Sequence, residues 1–148
     1  MPPVSGAARV SDGDSFRLGD ERIRMIGLDA PELSQQCDAA GGTKWPCGRR
    51  ARDRMQNLLA SGPVLCQPDG HDQYGRLLAT CSIAGKDLGA TMVREGLAIA
   101  SGSYWNEEAE AKRQRRGIWS GAFDTPRNWR DDHARPSGLL DWLDGVVW

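Results

Sequence analysis

The chain has 148 residues, 39% apolar and 26% charged, an ordinary balance for a globular protein that leaves no room for a long disordered segment. That length suits one compact core, and no run of about 18 apolar residues is present to cross a membrane as a helix. With a net charge of −1 and a pI near 6.1, the chain has no global attraction for nucleic acid, so any polyanion must be met by local charge.

Taken in order, the first third reads as strands. "ARVSD", "SFRLG" and "ERIRMIGLD" are separated by Asp12-Gly13-Asp14 and by Gly19-Asp20, which supply turn chemistry, and together they predict a three-stranded meander. "GRRARDRMQNLLASG" then places Ala51, Met55, Leu58 and Leu59 on one helical stripe, stopped by Gly62-Pro63. The arms "VLCQ" and "GRLLATCSIAG" flank the polar segment "PDGHDQY" and predict a hairpin. A helix at "DLGATMVREG" has Asp87 as its cap and Gly96 at its end. A short strand, "LAIAS", leads to the helix "NEEAEAKRQRRG", acidic early and basic late in accord with the helix dipole.

Five principal strands with three helices at their junctions, and no regular helical crossover, predict an α+β fold. Its form is a small closed barrel rather than a doubly wound sheet. Beyond Trp119, "GAFDTPRNWRDDHARPSG" reads as polar and irregular, and "LLDWLDGVVW" as an apolar tail. The expected division is a domain over residues 1–130 and a tail over 131–148. Leu139, Leu140, Trp142, Leu143 and Trp148 would pack on the body or on another chain. The basic clusters "GRRARDR" and "KRQRR" read as solvated helix faces.

Four cysteines, with no CxxC pair and only two histidines, disfavour zinc. Cys37 and Cys47 bracket a Gly-rich loop whose closure would remove roughly 2–3 kcal/mol of chain entropy from the unfolded state. Cys66 and Cys81 lie on the two arms of the hairpin. Bridges Cys37–Cys47 and Cys66–Cys81 are expected, and with them a periplasmic or secreted location. The alternative is four reduced thiols in the cytoplasm. The opening "MPPVSGAARV" has neither the basic start nor the apolar stretch of a signal peptide, so secretion would require a signal or anchor outside this sequence.

The segment "IRMIGLDAPE" loads Arg24, Asp29 and Glu32 onto an apolar stretch. Charges in such a place need a partner, a metal or a substrate. Asp12 and Asp14, around a glycine, add two more acids. Carboxylates gathered on neighbouring strand ends repel one another, and a hard cation keeps them ionised. Oxygen-only donors point to Ca2+, with Mg2+ or Mn2+ as alternatives. Arg24 and Arg76 present planar forks suited to phosphate oxygens. Acids, a cation and two guanidiniums on one spot meet the demands of phosphodiester hydrolysis.

"VSDGDSFRL", "RIRMIGLDAPE", "DQYGRLLA", "VREGLA" and "EAEAKRQRRGIW", in this order over residues 9 to 119, resemble the staphylococcal nuclease-like (thermonuclease) family. The resemblance implies an OB-fold, a five-stranded Greek-key barrel with three helices. It also implies a Ca2+-dependent endonuclease on single-stranded or locally open DNA and RNA, which leaves 3′-phosphates. Residue by residue, Asp14 and Asp29 look like the calcium carboxylates, joined by the backbone carbonyl of Ala30. Glu32 looks like the catalytic carboxylate, and Arg24 and Arg76 like its phosphate-binding arginines. Asp12 and Ser15 stand behind these residues, Tyr74 borders the phosphate pocket, and Tyr104 is a candidate for stacking on a base or sugar. Ser15 and Ala30 replace threonines of the family, and Gly102 replaces a second tyrosine. A monomer is the default expectation. The competing function is a non-catalytic OB-fold module that binds nucleic acid or protein.

Overall fold

The computed structural model of the chain describes residues 1–134; the expected packing of Leu139, Leu140, Trp142, Leu143 and Trp148 lies outside the described residues. Strands β1 (Val4–Gly6), β2 (Ala8–Asp12), β3 (Ser15–Leu18), β4 (Glu21–Met25) and β5 (Leu28–Asp29) come first. A small hairpin of β6 (Cys37–Asp38) and β7 (Lys44–Trp45) leads into helix α1 (Cys47–Ala60). There follow β8 (Val64–His71), β9 (Leu77–Ile83), β10 (Lys86–Asp87), α2 (Leu88–Arg94), β11 (Ile99–Ala100) and α3 (Trp105–Gln114). A 3-10 turn at Gly117–Ser120 and α4 (Pro126–Ala134) complete the described chain.

The expected meander is present: β2 pairs antiparallel with β3, and β3 with β4. Strand β4 then pairs in parallel with β9, β9 antiparallel with β8, and β8 with β1, giving the order β1-β8-β9-β4-β3-β2. Strands β1 and β2 stand at opposite ends of that order, yet only Ala7 separates them in the chain. The sheet must therefore curl until its two edges approach, which is the half-barrel of an α+β OB-fold.

Period-two alternation builds the core. Phe16 and Leu18 point inward while Arg17 faces out, and Ile23 and Met25 are buried on either side of Arg24. Val64, Cys66, Leu77, Ala79 and Cys81 extend the interior along the hairpin. Helix α1 closes it with Ala51 and Met55, and α2 with Leu88, Met92 and Val93; Leu58 and Leu59 of the predicted stripe are half-buried against the same core. Asp87 caps α2 as expected, accepting from the Ala90 amide at 3.1 Å. Both expected disulfides are formed. Cys66 and Cys81 are direct cross-strand neighbours, and Cys37–Cys47 ties the β6–β7 hairpin to the first residue of α1.

Two readings need correction. Pro68 and its neighbours, read as a connecting segment, belong to β8. Pro68 pairs with Ala79, and the register slips between Pro68 and His71, a bulge of the kind that accommodates proline in a sheet. The polar stretch after Trp119, read as irregular, contains a fourth helix, α4, which crosses the boundary expected at residue 130. Thr125 accepts from the Asn128 amide at 3.1 Å and Pro126 takes the first helical position, which is ordinary helix-start chemistry.

Gly48, in the first turn of α1, sets how close that helix comes to the acid-bearing segment. A Cβ at this position would sit 1.7 Å from the backbone carbonyl oxygen of Glu32. Gly48→Ala gains up to about 1 kcal/mol of helix propensity, but forcing the backbone apart costs about 1–3 kcal/mol or more, so the overlap wins. Urea denaturation should show a net loss of about 2 kcal/mol for Gly48→Ala; an unchanged midpoint would mean that the two segments are not in contact.

Candidate active site

The site lies where β2, β3, β4 and β5 end. The Asp12-Gly13-Asp14 turn is pressed against α1, since a Cβ on Gly13 would meet Ala51 at 2.7 Å and Ala30 at 3.0 Å. That contact drives Asp14 inward. Its backbone carbonyl accepts from the Met25 amide at 2.9 Å, and its carboxylate accepts from the Ala30 amide at 2.7 Å. Asp29 occupies the last position of β5, in register with Ile99 of β11. Gly27, at φ +90°, turns the chain between β4 and β5 where a side chain would strike Ser103 and Tyr104.

Arg24 joins the two acids. Its Nη1 lies 3.4 Å from Asp14 Oδ2, and its Nη2 donates to Asp29 Oδ1 at 3.2 Å. Nη1 also donates to the carbonyls of Met25 (2.5 Å) and Leu28 (3.2 Å). Because Ile23 and Met25 fill the core face of β4, alternation sends Arg24 to the other face, toward the cleft.

Glu32 is set by the chain around it. Its amide donates to Gln35 Oε1 at 3.2 Å, and its carbonyl accepts from the Gln35 amide at 2.8 Å. Gln35 is 1% exposed, and its Nε2 donates to the Asp124 carbonyl at 2.7 Å. Across the cleft, Asp72 organises the turn between β8 and β9. Its carboxylate accepts from the amides of Tyr74 and Arg76 at 2.9 Å each and from Arg76 Nε at 2.8 Å.

A cavity of about 280 Å³ brings Asp12, Asp14, Ser15 and Glu32 together with Arg24, Arg76 and the rim residue Tyr74. Asp29 lies behind the guanidiniums, and Ala30 is fully buried beside Asp14. Tyr104, expected to stack on substrate, is placed differently. Its hydroxyl donates to Asp87 at 2.9 Å from either carboxylate oxygen, and its half-buried ring packs on the core beneath Gly27 and Gly89. That placement gives Tyr104 a role in anchoring the segment before α3 to the cap of α2.

Two residues that the sequence reading passed over contribute. Asp72 positions Arg76, and its signal was an aspartate at the head of a tight Gly-containing turn. Arg130 of α4 lines the same cavity, with Nη1 and Nη2 each 3.2 Å from an oxygen of Asp29 and Nη1 3.4 Å from Glu32 Oε2.

Burial holds the Asp14 carboxyl up at about 6, against the pull of Arg24 and of the Ala30 amide. Burial and the neighbouring Asp12 charge likewise raise Glu32, with Arg130 opposing them. Burial also raises Asp12, against the Leu33 amide and Arg24. A buried carboxylate with an elevated pKa is one whose charge is incompletely compensated. Among the described residues no group of three or more His, Cys, Asp or Glu side chains is arranged as a cage for a metal. Arg24 instead spans Asp14 and Asp29, and the two acids offer oxygen donors alone, the donor type that a hard cation takes.

The folded Asp14 titrates above its ordinary 3.8, at about 6. In the cation-free protein its burden on stability is thus absent below about pH 4, grows through the interval between those values and is complete above it; the full rise corresponds to about 3 kcal/mol. Asp14→Asn keeps an acceptor for the Ala30 amide but leaves Arg24 with one carboxylate fewer. In chelator at pH 8 the variant should be more stable than the parent by about 1–2 kcal/mol, with the difference vanishing near pH 4. Equal stability at pH 8 would contradict the assignment of a strained, ionised Asp14.

The geometry can be set beside known proteins. A family model described as staphylococcal nuclease homologue matches residues 22–121. A succinoglycan biosynthesis protein, ExoI, of Rhizobium meliloti (strain 1021) is 35% identical over 124 residues, covering 79% of this chain and 65% of that protein. An uncharacterized endonuclease of Escherichia coli O157:H7 is 33% identical over 129 residues, covering 80% of this chain and 78% of its own length. A probable endonuclease, LCL3, of Scheffersomyces stipitis is 32% identical over 171 residues, covering 86% and 71%. The chain thus spans just under two thirds of the first of these relatives. With Asp12, Asp14 and Glu32 facing Arg24 of β4 and Arg76 of the turn before β9 across one cavity on a curled OB-fold sheet, the chain belongs to the family of staphylococcal nuclease homologues.

Proposed function

We propose that the chain is a Ca2+-dependent endonuclease that hydrolyses phosphodiester bonds of single-stranded or locally open DNA and RNA and leaves 3′-phosphorylated products. The observation that carries this reading is the convergence of Glu32, Asp14, Arg24 and Arg76 on one open cavity. A bound Ca2+, held by Asp14 and Asp29 with Mg2+ or Mn2+ as substitutes, would polarise a phosphoryl oxygen and acidify water.

The chain's own residues do the rest. Arg24 and Arg76 bind the equatorial oxygens of the phosphate and offset charge as it builds in the transition state. Glu32, raised above the ordinary carboxylate range by burial and by Asp12, takes the proton of the attacking water. The water oxygen bonds to phosphorus, the P–O5′ bond breaks, and the departing 5′-oxygen takes a proton from solvent water, so the phosphate remains on the 3′ side. Tyr74, 64% exposed with its ring 5.7 Å from Arg76 Cζ, offers an aromatic face at the rim for a base or sugar.

Two disulfides support an oxidising compartment, either periplasmic or extracellular. No helix among the described residues is long and apolar enough to cross a membrane. A monomer is the form proposed for the protein.

End-labelled single-stranded DNA should be cut in CaCl2 and spared in chelator, with products that a phosphatase shifts at their 3′ ends. Glu32→Gln should fold normally and lose at least about 10²-fold in kcat. Cleavage undiminished by chelator would remove the cation from the mechanism, and near-parental turnover of the variant would remove Glu32. Binding of the oligonucleotide without cleavage under every cation would favour the non-catalytic module.

A further inference from the structure

Helix α4 lies beyond residues 22–121, the part of the chain that the family matches, yet it delivers a guanidinium into the cleft. The delivery is specified by local chemistry. Thr125 and Pro126 start the helix, and Gln35 pins its lead-in. That buried amide donates to the Asp124 carbonyl with one end and accepts from the Glu32 amide with the other. One glutamine therefore couples the acid to the helix that brings Arg130 against it.

Arg130 meets Asp29 side on, through two contacts of 3.2 Å, and reaches Glu32 at 3.4 Å. Its side chain is 39% exposed and lines the cavity. Among the described residues, the cavity that Asp12, Asp14 and Glu32 line has Arg24 and Arg76 as its other cations, and Arg76 is already held by Asp72. A third positive charge here acts in opposite senses on two ligands: it repels a divalent cation and attracts a phosphate.

Building on the nuclease reading above, we propose that Arg130 is a third phosphate-binding guanidinium of the cleft, which lowers the affinity of the neighbouring acids for a divalent cation while raising that of the cleft for the polynucleotide. Without substrate it is the counter-ion of Asp29 and Glu32. With substrate it offers the same two N–H groups to phosphate oxygens, for which a planar fork is suited.

The test uses the full chain, Arg130→Gln and Arg130→Lys. CaCl2 is titrated calorimetrically into each protein alone, and kcat and KM are measured on a single-stranded oligodeoxythymidylate at saturating Ca2+. Arg130→Gln should bind CaCl2 about tenfold more tightly and show a KM about tenfold higher, with kcat changed less; Arg130→Lys, which keeps the charge and loses the fork, should match the parent in CaCl2 affinity and fall between parent and Arg130→Gln in KM. Unchanged values for Arg130→Gln would overturn the proposal. So would a joint weakening of cation and substrate binding, which is what loss of a merely structural strut would give. If the parent binds CaCl2 but cuts nothing, the nuclease reading alone fails. The role of Arg130 is then decided by the same opposed shifts, read in affinity for CaCl2 and for the uncleaved oligonucleotide.

Discussion

Asp14 is a carboxylate with almost no access to water, held by one backbone amide and facing one guanidinium at 3.4 Å. Folding places it there because the turn that carries it is wedged between α1 and Ala30, with no side chain on Gly13 to keep them apart. An ionised acid in that position is costly unless positive charge collects around it. Much of the surrounding arrangement answers this need: Arg24 bridges Asp14 and Asp29, and Arg130 closes on Asp29 and Glu32. Stability given up at one buried acid is thus linked to the guanidiniums that gather beside it.

The scaffold makes this possible by curling one sheet until several strand ends share a small volume. The parallel pairing of β4 with β9 is the step that matters most, because it sets the arginine-bearing middle of β4 beside the strand that Arg76 precedes. Asp72 then fixes Arg76 through a turn, and Gln35 fixes Glu32 through its backbone. The two disulfides act further out. One staples the hairpin that carries Arg76, and the other ties the loop after Glu32 to the start of α1.

Much of this was legible in the chain. Alternation gave Phe16, Leu18, Ile23 and Met25 to the core and therefore sent Arg24 outward to the cleft, and turn residues marked the meander and the hairpin. The pairing of the cysteines followed from where those elements placed them. What stayed hidden depended on tertiary placement. Thr125-Pro126 announces a helix start, but nothing local says that Arg130, about a hundred residues from Asp29 in the chain, comes to rest against it. Tyr104 is equally suited by its chemistry to stack on a base or to donate to an acid. The proximity of Asp87, seventeen residues earlier, decided for the latter. Pro68 reads as a strand breaker, and only the bulge opposite Ala79 makes room for it inside β8.

The central claim is that Asp14 and Asp29 act as one cation-binding pair whose charge Arg24 balances in the absence of the ion. The direct measurement is a CaCl2 titration followed by nuclear magnetic resonance at the side-chain carboxyl carbons of Asp14 and Asp29 and at the Arg24 guanidinium. The account predicts that all three signals move along one saturating curve with a single midpoint. Signals of Asp14 and Arg24 that stay fixed while only solvent-facing acids respond would contradict it.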